Sequence, residues 1–299
     1  MAISKQAGGW NWEALDDTAS LLGLERLDDS LLTDRRDDEE DYLALFGARV
    51  AEERPFINIG AGNWRHPFWR NHDFVQPPYD KFTPPDYNID LSNSAAWPID
   101  SETLIGAFTS HTIEHLTDEM VAHVFKEVNR TLRTGGVFRI STPDFHTAYA
   151  AWRLADRRYY HQRSTARAKS GRIVYVTSVG FAEGKAVSLK YLERFASCLG
   201  RVDTWRGLPV DEGLAMEHAG KRPEDAAECI LEEADFSTKP ANLHINYWTE
   251  EKLRRMLVDA GFRLVLRSSF GQCIFPLMRN KIYFDTTRPN ESIWVDAVK

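Results

Sequence analysis

Hydrophobic residues between about residues 55 and 145 fall in short runs that are separated by stretches of helical periodicity. The runs that predict strands are, in order, "PFINIG", "FWRNHDF", "DYNIDLS", "LIGAFTSH" and "VFRISTPD". Before the last of them, "TDEMVAHVFKEVNRTLR" carries its apolar side chains on one helical face, with Thr117 as its N-cap and Gly135 and Gly136 at its end. Strands that alternate with helices predict β-α-β units around a parallel sheet.

The two ends of the chain and its middle follow other patterns. Residues 241–299 return to the α/β pattern, with a helix that Gly261 ends, the strand "FRLVLRSS" and the final strand "SIWVDAVK". Residues 146–240 read as helical and charged, without strand alternation. Residues 1–54 are acidic with plausible helical spacing, which predicts either a solvated flank of the core or a lid or dimer arm.

Composition places the chain among soluble globular proteins. It has 299 residues, of which 43% are hydrophobic and 27% charged, and no apolar run is long enough to span a bilayer. The start of the sequence lacks the apolar stretch of a signal peptide, and the three cysteines show no metal-ligand spacing, so we expect a reduced, cytoplasmic protein. A net charge of −7 argues against a general nucleic-acid binder.

The stretch "FINIGAGNW" runs from a predicted strand into a tight glycine turn. A dinucleotide fingerprint needs a third glycine, but Arg65 stands in that position, and no Gly-Lys-Ser or Gly-Lys-Thr follows. The turn therefore predicts a ligand without a polyphosphate, bound at the carboxyl ends of the strands.

Five segments in the right order make the chain similar to class I S-adenosylmethionine-dependent methyltransferases, with closest resemblance to the type 11-like group that acts on small molecules and glycans. The matching segments are "NIGAGN", "WRNHD", "NIDLSNSAAWPID", "FTSHTIEHL" and "EVNRTLRTGGVFRISTPD", with "LRRMLVDAGFRLV" towards the C-terminus. The resemblance implies an α/β, Rossmann-like fold with a seven-stranded, mostly parallel sheet and an antiparallel last strand. With it we expect four parts: an acidic helical extension (1–54), a cofactor-binding core (55–145), a helical cap insertion (146–240) and the C-terminal part of the core sheet (241–299).

S-adenosylmethionine as cofactor and S-adenosylhomocysteine as product follow from this resemblance, and no metal is expected. The residues expected at the cofactor are Asn58, Gly60, Ala61, Gly62, Asp73, Asp90, Leu91, Trp97, Ser110 and His111. Asp73 would accept the ribose hydroxyls, Asp90 the adenine amino group, and Trp97 would line the adenine. Asn71 or His72 could take the ribose role instead.

Acceptor chemistry is expected beyond the fourth strand. His111 and His115 are the candidate catalytic residues, because a histidine can remove the proton of a hydroxyl acceptor near neutral pH. They can share a helical face if the next helix begins early, although both could simply bond locally. A zinc reading of the pair lacks an apparent third ligand. Candidate substrate residues are Asp144, His146, Tyr149, Arg153 and His244.

The basic and aromatic stretch after residue 150 suits an anionic acceptor such as a phosphorylated or nucleotide-linked sugar, although a solvated helix surface is the alternative. O-methylation of a small molecule or sugar is the prediction. N-methylation of a small amine and a non-catalytic cofactor-binding scaffold remain open, as does a homo-oligomeric state. "QPPYD" and "TPPDY" resemble the Pro-Pro-Tyr motif of DNA amino-methylating enzymes, but they precede the third strand, so a stiff loop is predicted.

Overall fold

The structure is a computed structural model that describes residues 13–21, 38–75, 81, 83–160, 163–167, 173–177, 186–234 and 243–299, of which 163–167 and 173–177 are described by backbone alone. The strands are β1 Phe56–Ile59, β2 Trp69–Asp73, β3 Tyr87–Asn88, β4 Leu104–Ser110, β5 Leu132–Pro143, β6 Arg163–Arg167, β7 Ile173–Thr177, β8 Thr204–Trp205, β9 Leu208–Pro209, β10 Leu264–Ser268 and β11 Ser292–Val298. The α-helices are α1 Glu13–Leu21, α2 Asp38–Phe46, α3 Val50–Glu53, α4 Asp118–Thr131, α5 Phe145–Arg153, α6 Arg157–Tyr160, α7 Val187–Leu192, α8 Val210–Glu217, α9 Pro223–Glu232 and α10 Glu250–Asp259.

Seven of these strands form the central sheet, in the order β10-β11-β5-β4-β1-β2-β3. The pairs among β1 to β5 are parallel, and β11 runs antiparallel to both of its neighbours. The strand order reverses between β1 and β4, which is where open α/β sheets bind ligands. The predicted fold class is confirmed, including the antiparallel last strand.

Both faces of the sheet are covered, because most of its strands are buried on both sides. Apolar side chains of α4 and α10 form the core on one face, with Val121, Phe125 and Leu257 among them. On the other face, α1 and α2 pack with the segment between β10 and β11, and the ring of Tyr42 is fully buried there. The predicted N-cap of α4 is confirmed, since the Thr117 side chain accepts from the Met120 N–H.

Gly135 and Gly136 do not end α4, contrary to the sequence prediction. The helix ends at Thr131, and both glycines lie within β5. Gly135 has a φ of 81°, and a Cβ there would lie 2.5 Å from the backbone oxygen of Asp17 in α1. The glycine is therefore required by the close passage of a helix over the strand and not by a helix terminus.

The region between β5 and α10 contains helices α5 to α9 in its described part, and it also contains strands that the sequence pattern did not indicate. β6 pairs with β7, and β8 pairs with β9, in two small antiparallel ribbons. Trp152, Tyr159, Tyr160 and Tyr191 belong to a separate core of this region. The aromatic residues of the basic stretch are therefore buried, whereas Arg153, Arg157 and Arg158 are exposed.

Arg139 is a fully buried charge in β5. Its guanidinium contacts one oxygen of Asp285 and one of Asp296 at 2.6 Å each, and both carboxylates are fully buried as well. The pair of acids neutralises the arginine, which satisfies the general need for a partner for a buried charge. Residues 83–86 lead into β3, as expected of a loop, and "QPPYD" lies outside the described residues.

Candidate functional site

The glycine turn lies at the carboxyl end of β1, between β2 and β4. The N–H groups of Gly60 and Ala61 both point to the carbonyl of His72, at 2.8 and 3.3 Å. Gly60 and Gly62 have φ angles of 67° and 51°, which glycine adopts without strain. A Cβ on Gly60 would lie 2.8 Å from the Cβ of Thr112, so the turn is in direct contact with the segment after β4.

Asp73 ends β2 beside this turn. One of its carboxylate oxygens accepts from the N–H of Gly62 at 2.6 Å, and the other accepts from the N–H of Phe74 at 2.7 Å. Arg65, which stands where a third glycine would be, donates to the carbonyl of Gly62. The carboxylate expected at a ribose therefore lies at the glycine turn and remains partly exposed.

The other two candidates for the ribose role are buried elsewhere. Asn71 is 2% exposed and donates to the carbonyl of Trp64. His72 is fully buried with its ring 4.5 Å from that of Trp97. Burial lowers the pKa of His72 to about 4, so the ring is neutral at pH 7. Of these three residues, Asp73 is the one that a ligand at the turn can reach.

The residues expected near adenine differ in how accessible they are. Asp90 and Leu91 are partly exposed after β3, and one Asp90 oxygen accepts from the N–H and the hydroxyl of Ser92. Trp97 is 4% exposed within the core, and its backbone N–H donates to a carboxylate oxygen of Glu127. Asn58 is 3% exposed in β1.

Glu114 is the centre of a cluster of polar side chains after β4. It is fully buried in the short 3₁₀ helix Ile113–His115, and one of its oxygens accepts from the hydroxyl of Thr142. The other oxygen, Oε1, lies 3.1 Å from Nδ1 of His111, but the two are not aligned as a hydrogen bond. Within the described residues, Oε1 therefore has acceptor capacity that no hydrogen bond uses.

His111 lies just outside this 3₁₀ helix, with a φ of 52°. Because α4 begins only at Asp118, His111 and His115 do not share a helical face, contrary to the conditional expectation. Nε2 of His111 lies 2.7 Å from the hydroxyl of Ser292, and that hydroxyl also lies 2.9 Å from the carbonyl of Arg288. The first residue of β11 thus reaches the cluster.

His115 and His244 approach Glu114 from the other side. Their rings are 4.9 Å apart, and Nε2 of His244 lies 3.9 Å from Oε1 of Glu114. Nδ1 of His115 contacts the carbonyl of Leu243, and Nδ1 of His244 contacts the carbonyl of Arg194, each at 2.9 Å. The structure therefore joins one candidate substrate residue, His244, to both candidate catalytic histidines.

Opposing effects set the ionisation of this cluster. Burial by itself would raise the pKa of Glu114, but the neighbouring His111, His244 and His115 together lower it to about 2. Burial lowers the pKa of His244 to about 4, although Glu114 acts in the opposite direction. At neutral pH Glu114 is therefore a carboxylate and His244 a neutral imidazole.

The other candidate substrate residues lie apart from Glu114 in the contacts that the structure describes. Asp144 caps α5 by accepting from Thr147, and with His146 it lines a cavity of about 540 Å³ next to α10. Tyr149 packs against the rings of Phe145 and Trp152 in the cap. Arg153 is exposed, and its guanidinium lies 5.6 Å from the ring centre of Trp152.

Ser110 and three residues that the sequence did not place in a site also lie near this cluster or the glycine turn. The hydroxyl of Ser110 accepts from Ser141 at 2.8 Å. Glu114 could have been suspected, because it stands beside His115 in "HTIEH". Ser292 carried no such signal, since it is 181 residues from the histidine it contacts. Thr112 carried none either, because its contact is with Gly60, which follows the neighbouring strand β1.

The seven-stranded, mostly parallel sheet, with its antiparallel last strand β11 and the glycine turn after β1, is the arrangement that the sequence resemblance implies. The chain has the α/β, Rossmann-like fold expected from that resemblance. No family model and no curated protein matches it.

Solved structures of methyltransferases are similar to the chain at low identity. An S-adenosylmethionine-dependent methyltransferase from Mesorhizobium loti is 14% identical, with 82% of this chain and 90% of that chain covered and a TM-score of 0.36. A methyltransferase from Archaeoglobus fulgidus is 13% identical, with 91% and 100% covered and a TM-score of 0.37. The glycopeptide N-methyltransferase MtfA in complex with sinefungin is 13% identical, with 85% and 94% covered and a TM-score of 0.35. At these values the similarities by themselves say nothing about activity or substrate.

Among the helices that the structure describes, none has the length and apolar character needed to cross a membrane.

Proposed function

We propose that the protein is an S-adenosylmethionine-dependent methyltransferase that methylates a hydroxyl group of a small molecule or sugar. The observation that carries the proposal is the position of the Asp73 carboxylate against the Gly62 N–H, at the point where the strand order reverses. A carboxylate at this place can accept both ribose hydroxyls, and the glycine turn leaves room for the ligand beside the backbone.

His111 is the proposed base. The charge of Glu114 at 3.1 Å favours the proton on Nδ1 of His111, which leaves Nε2 able to accept a proton. Ser292 contacts that nitrogen, but its hydroxyl can donate to the carbonyl of Arg288 instead. The whole Ser292 side chain must therefore rotate away from Nε2 before an acceptor hydroxyl can reach that atom.

Methyl transfer then requires no covalent intermediate on the protein. The acceptor hydroxyl gives its proton to His111 while its oxygen forms a bond to the methyl carbon. Bound S-adenosylmethionine would supply the methyl group and would leave as S-adenosylhomocysteine, whose sulfur keeps the electron pair of the broken carbon–sulfur bond. Positioning of the two reactants supplies much of the rate in such a displacement, and the histidine adds roughly 10²–10⁴-fold. A histidine base beside a carboxylate favours a hydroxyl acceptor over an amine, because a neutral amine can attack before it loses its proton.

Calorimetric titration with S-adenosylmethionine and S-adenosylhomocysteine tests cofactor binding. We expect wild type to bind both, and Asp73→Asn to lose at least about tenfold in affinity, equivalent to about 1.4 kcal/mol. Asp225→Asn is the matched control, because Asp225 is an exposed residue in the first turn of α9 that is paired with Arg222. Absence of binding to wild type would refute the cofactor assignment, and equal affinity of the Asp73 variant would refute the role of Asp73 in binding.

An acceptor screen with radiolabelled cofactor then tests catalysis, beginning with phosphorylated and nucleotide-linked sugars. His111→Ala is expected to reduce kcat by roughly 10²–10⁴-fold while leaving the affinity for S-adenosylmethionine within a few-fold of wild type. Equal turnover in the variant would remove His111 from the mechanism.

A further inference from the structure

Three potential metal ligands meet at the start of the segment after β4. One carboxylate oxygen of Glu114 and one ring nitrogen each of His115 and His244 all lie within 4.8 Å of one another. The pair His111 and His115 offered no third ligand in the sequence, but here the fold brings in His244 from 129 residues beyond His115 in the chain and turns Glu114 inward.

Backbone contacts leave the same nitrogen available on both rings. A carbonyl oxygen can only accept a hydrogen bond, so the Nδ1 atoms that face Leu243 and Arg194 must carry the protons. In the neutral form of each ring, Nε2 then carries a lone pair that can bind a cation. A backbone carbonyl that holds the opposite ring N–H in this way is the usual support of a metal-binding histidine.

Glu114 supplies an anionic oxygen, Oε1, that lies 3.1 Å from Nδ1 of His111 without forming an aligned hydrogen bond. The residue is fully buried, yet Oε1 accepts no hydrogen bond from the described residues. Such an unpartnered buried carboxylate oxygen is costly unless something compensates it. A cation between Glu114 and the two imidazoles would do so.

We propose that Glu114, His115 and His244 bind one divalent transition-metal ion. Two imidazoles and one carboxylate, with a coordination position left over, form a ligand set that suits catalytic zinc. Ligands about 2.1 Å from a tetrahedral ion lie about 3.4 Å apart, so the present separations of up to 4.8 Å require the ligand atoms to approach one another by at most about 1.4 Å. Both histidines are partly exposed, so an ion can reach them.

The role of the ion rests on the proposed function, although its binding does not. A divalent ion lowers the pKa of a hydroxyl that occupies its open position, and so makes the oxygen a better nucleophile. In the methyl transfer described above, the acceptor hydroxyl would bind there before His111 takes its proton. The site then selects for acceptors that offer an oxygen to the metal.

Titration of the full-length, metal-free protein with Zn²⁺ by calorimetry, and with Co²⁺ by visible absorption, tests the site directly. We expect one ion per chain at micromolar affinity or tighter, with the visible bands of four- or five-coordinate Co²⁺. His244→Ala and Glu114→Gln should each weaken binding at least 100-fold. His123→Ala should not, because His123 is partly exposed on α4 and contacts only the carbonyl of Ala95 in its described hydrogen bonds.

Two readouts keep this result separate from that of the cofactor. Thermal unfolding and S-adenosylmethionine titration of His244→Ala should match wild type, which shows that the variant folds and retains the glycine turn. Wild-type affinity no tighter than that of the His244 variant would overturn the proposal, as would a thiolate charge-transfer band, which would assign the ion to a cysteine. Metal binding without cofactor binding would refute the methyltransferase assignment alone.

Discussion

Gly60 lies against the side chain of Thr112 in the candidate site, so replacing this glycine tests the site. A Cβ at Gly60 would lie 2.8 Å from the Cβ of Thr112, with the hydroxyl and methyl of the threonine closer still. Carbon atoms in favourable contact are about 3.5–4.0 Å apart. Gly60→Ala must therefore displace either the turn or the segment after β4.

The cost has two parts. An alanine with a φ of 67° adopts the left-handed region at a cost of about 1–2 kcal/mol. The clash with Thr112 adds overpacking, which typically costs about 1–3 kcal/mol. We therefore expect Gly60→Ala to lower the free energy of unfolding by about 2–5 kcal/mol. Because the turn moves relative to Asp73, the affinity for S-adenosylmethionine should fall at least about tenfold.

Gly47 provides the matched control. It has a similar φ of 72°, but a Cβ there would have no atom within 4 Å. Gly47→Ala should therefore cost only the conformational part, about 1–2 kcal/mol, and leave cofactor affinity unchanged.

Urea unfolding and calorimetric titration of the two variants separate these effects. Combining Gly60→Ala with Thr112→Gly removes the atoms in conflict and should recover about 1–3 kcal/mol of coupling in a double-mutant cycle. If Gly60→Ala costs no more than Gly47→Ala and binds S-adenosylmethionine as tightly as wild type, the reasoning about this contact is wrong.

Three further predictions concern buried or capping groups. Arg139→Met should lower the free energy of unfolding by about 3–5 kcal/mol, because Asp285 and Asp296 become unpaired buried charges; a loss below 1 kcal/mol in urea unfolding would contradict this. The pKa of His72 falls from 6.5 to about 4 on folding, so the unfolded state binds more protons than the folded state below pH 6.5. The free energy of unfolding should therefore drop by about 3 kcal/mol between pH 8 and pH 4, relative to that of His72→Leu. Parallel pH profiles of unfolding for the two proteins would contradict this prediction. Thr117→Ala should cost about 1 kcal/mol through loss of the α4 cap, whereas an unchanged urea midpoint would show that the cap does not contribute.

Local pattern was sufficient for the elements around the glycine turn. The apolar run before Gly60, the amphipathic face of α4 and the cap at Thr117 depend on residues within a few positions of one another. Their spacing matches the period of a strand or a helix, so the sequence alone predicts them. The order of motifs along the chain then sufficed for the fold class.

Other features depend on contacts between segments that are distant in the sequence, and the local pattern of residues did not predict them. Gly135 reads as a helix end until α1 is seen to cross it, and Thr112 meets Gly60 only because β1 and β4 are neighbours. Strands β6 to β9 were missed because they are short and pair only with one another.

The polar cluster depended on the tertiary structure most of all. Ser292 and His244 reach His111 and Glu114 from far along the chain, and no local spacing encodes such a meeting. The sequence by itself determined that a histidine pair follows the fourth strand. Only the packing of the later segments against that strand decided which atoms of those histidines are free and which carboxylate they face, because burial and hydrogen-bond partners are properties of the assembled fold.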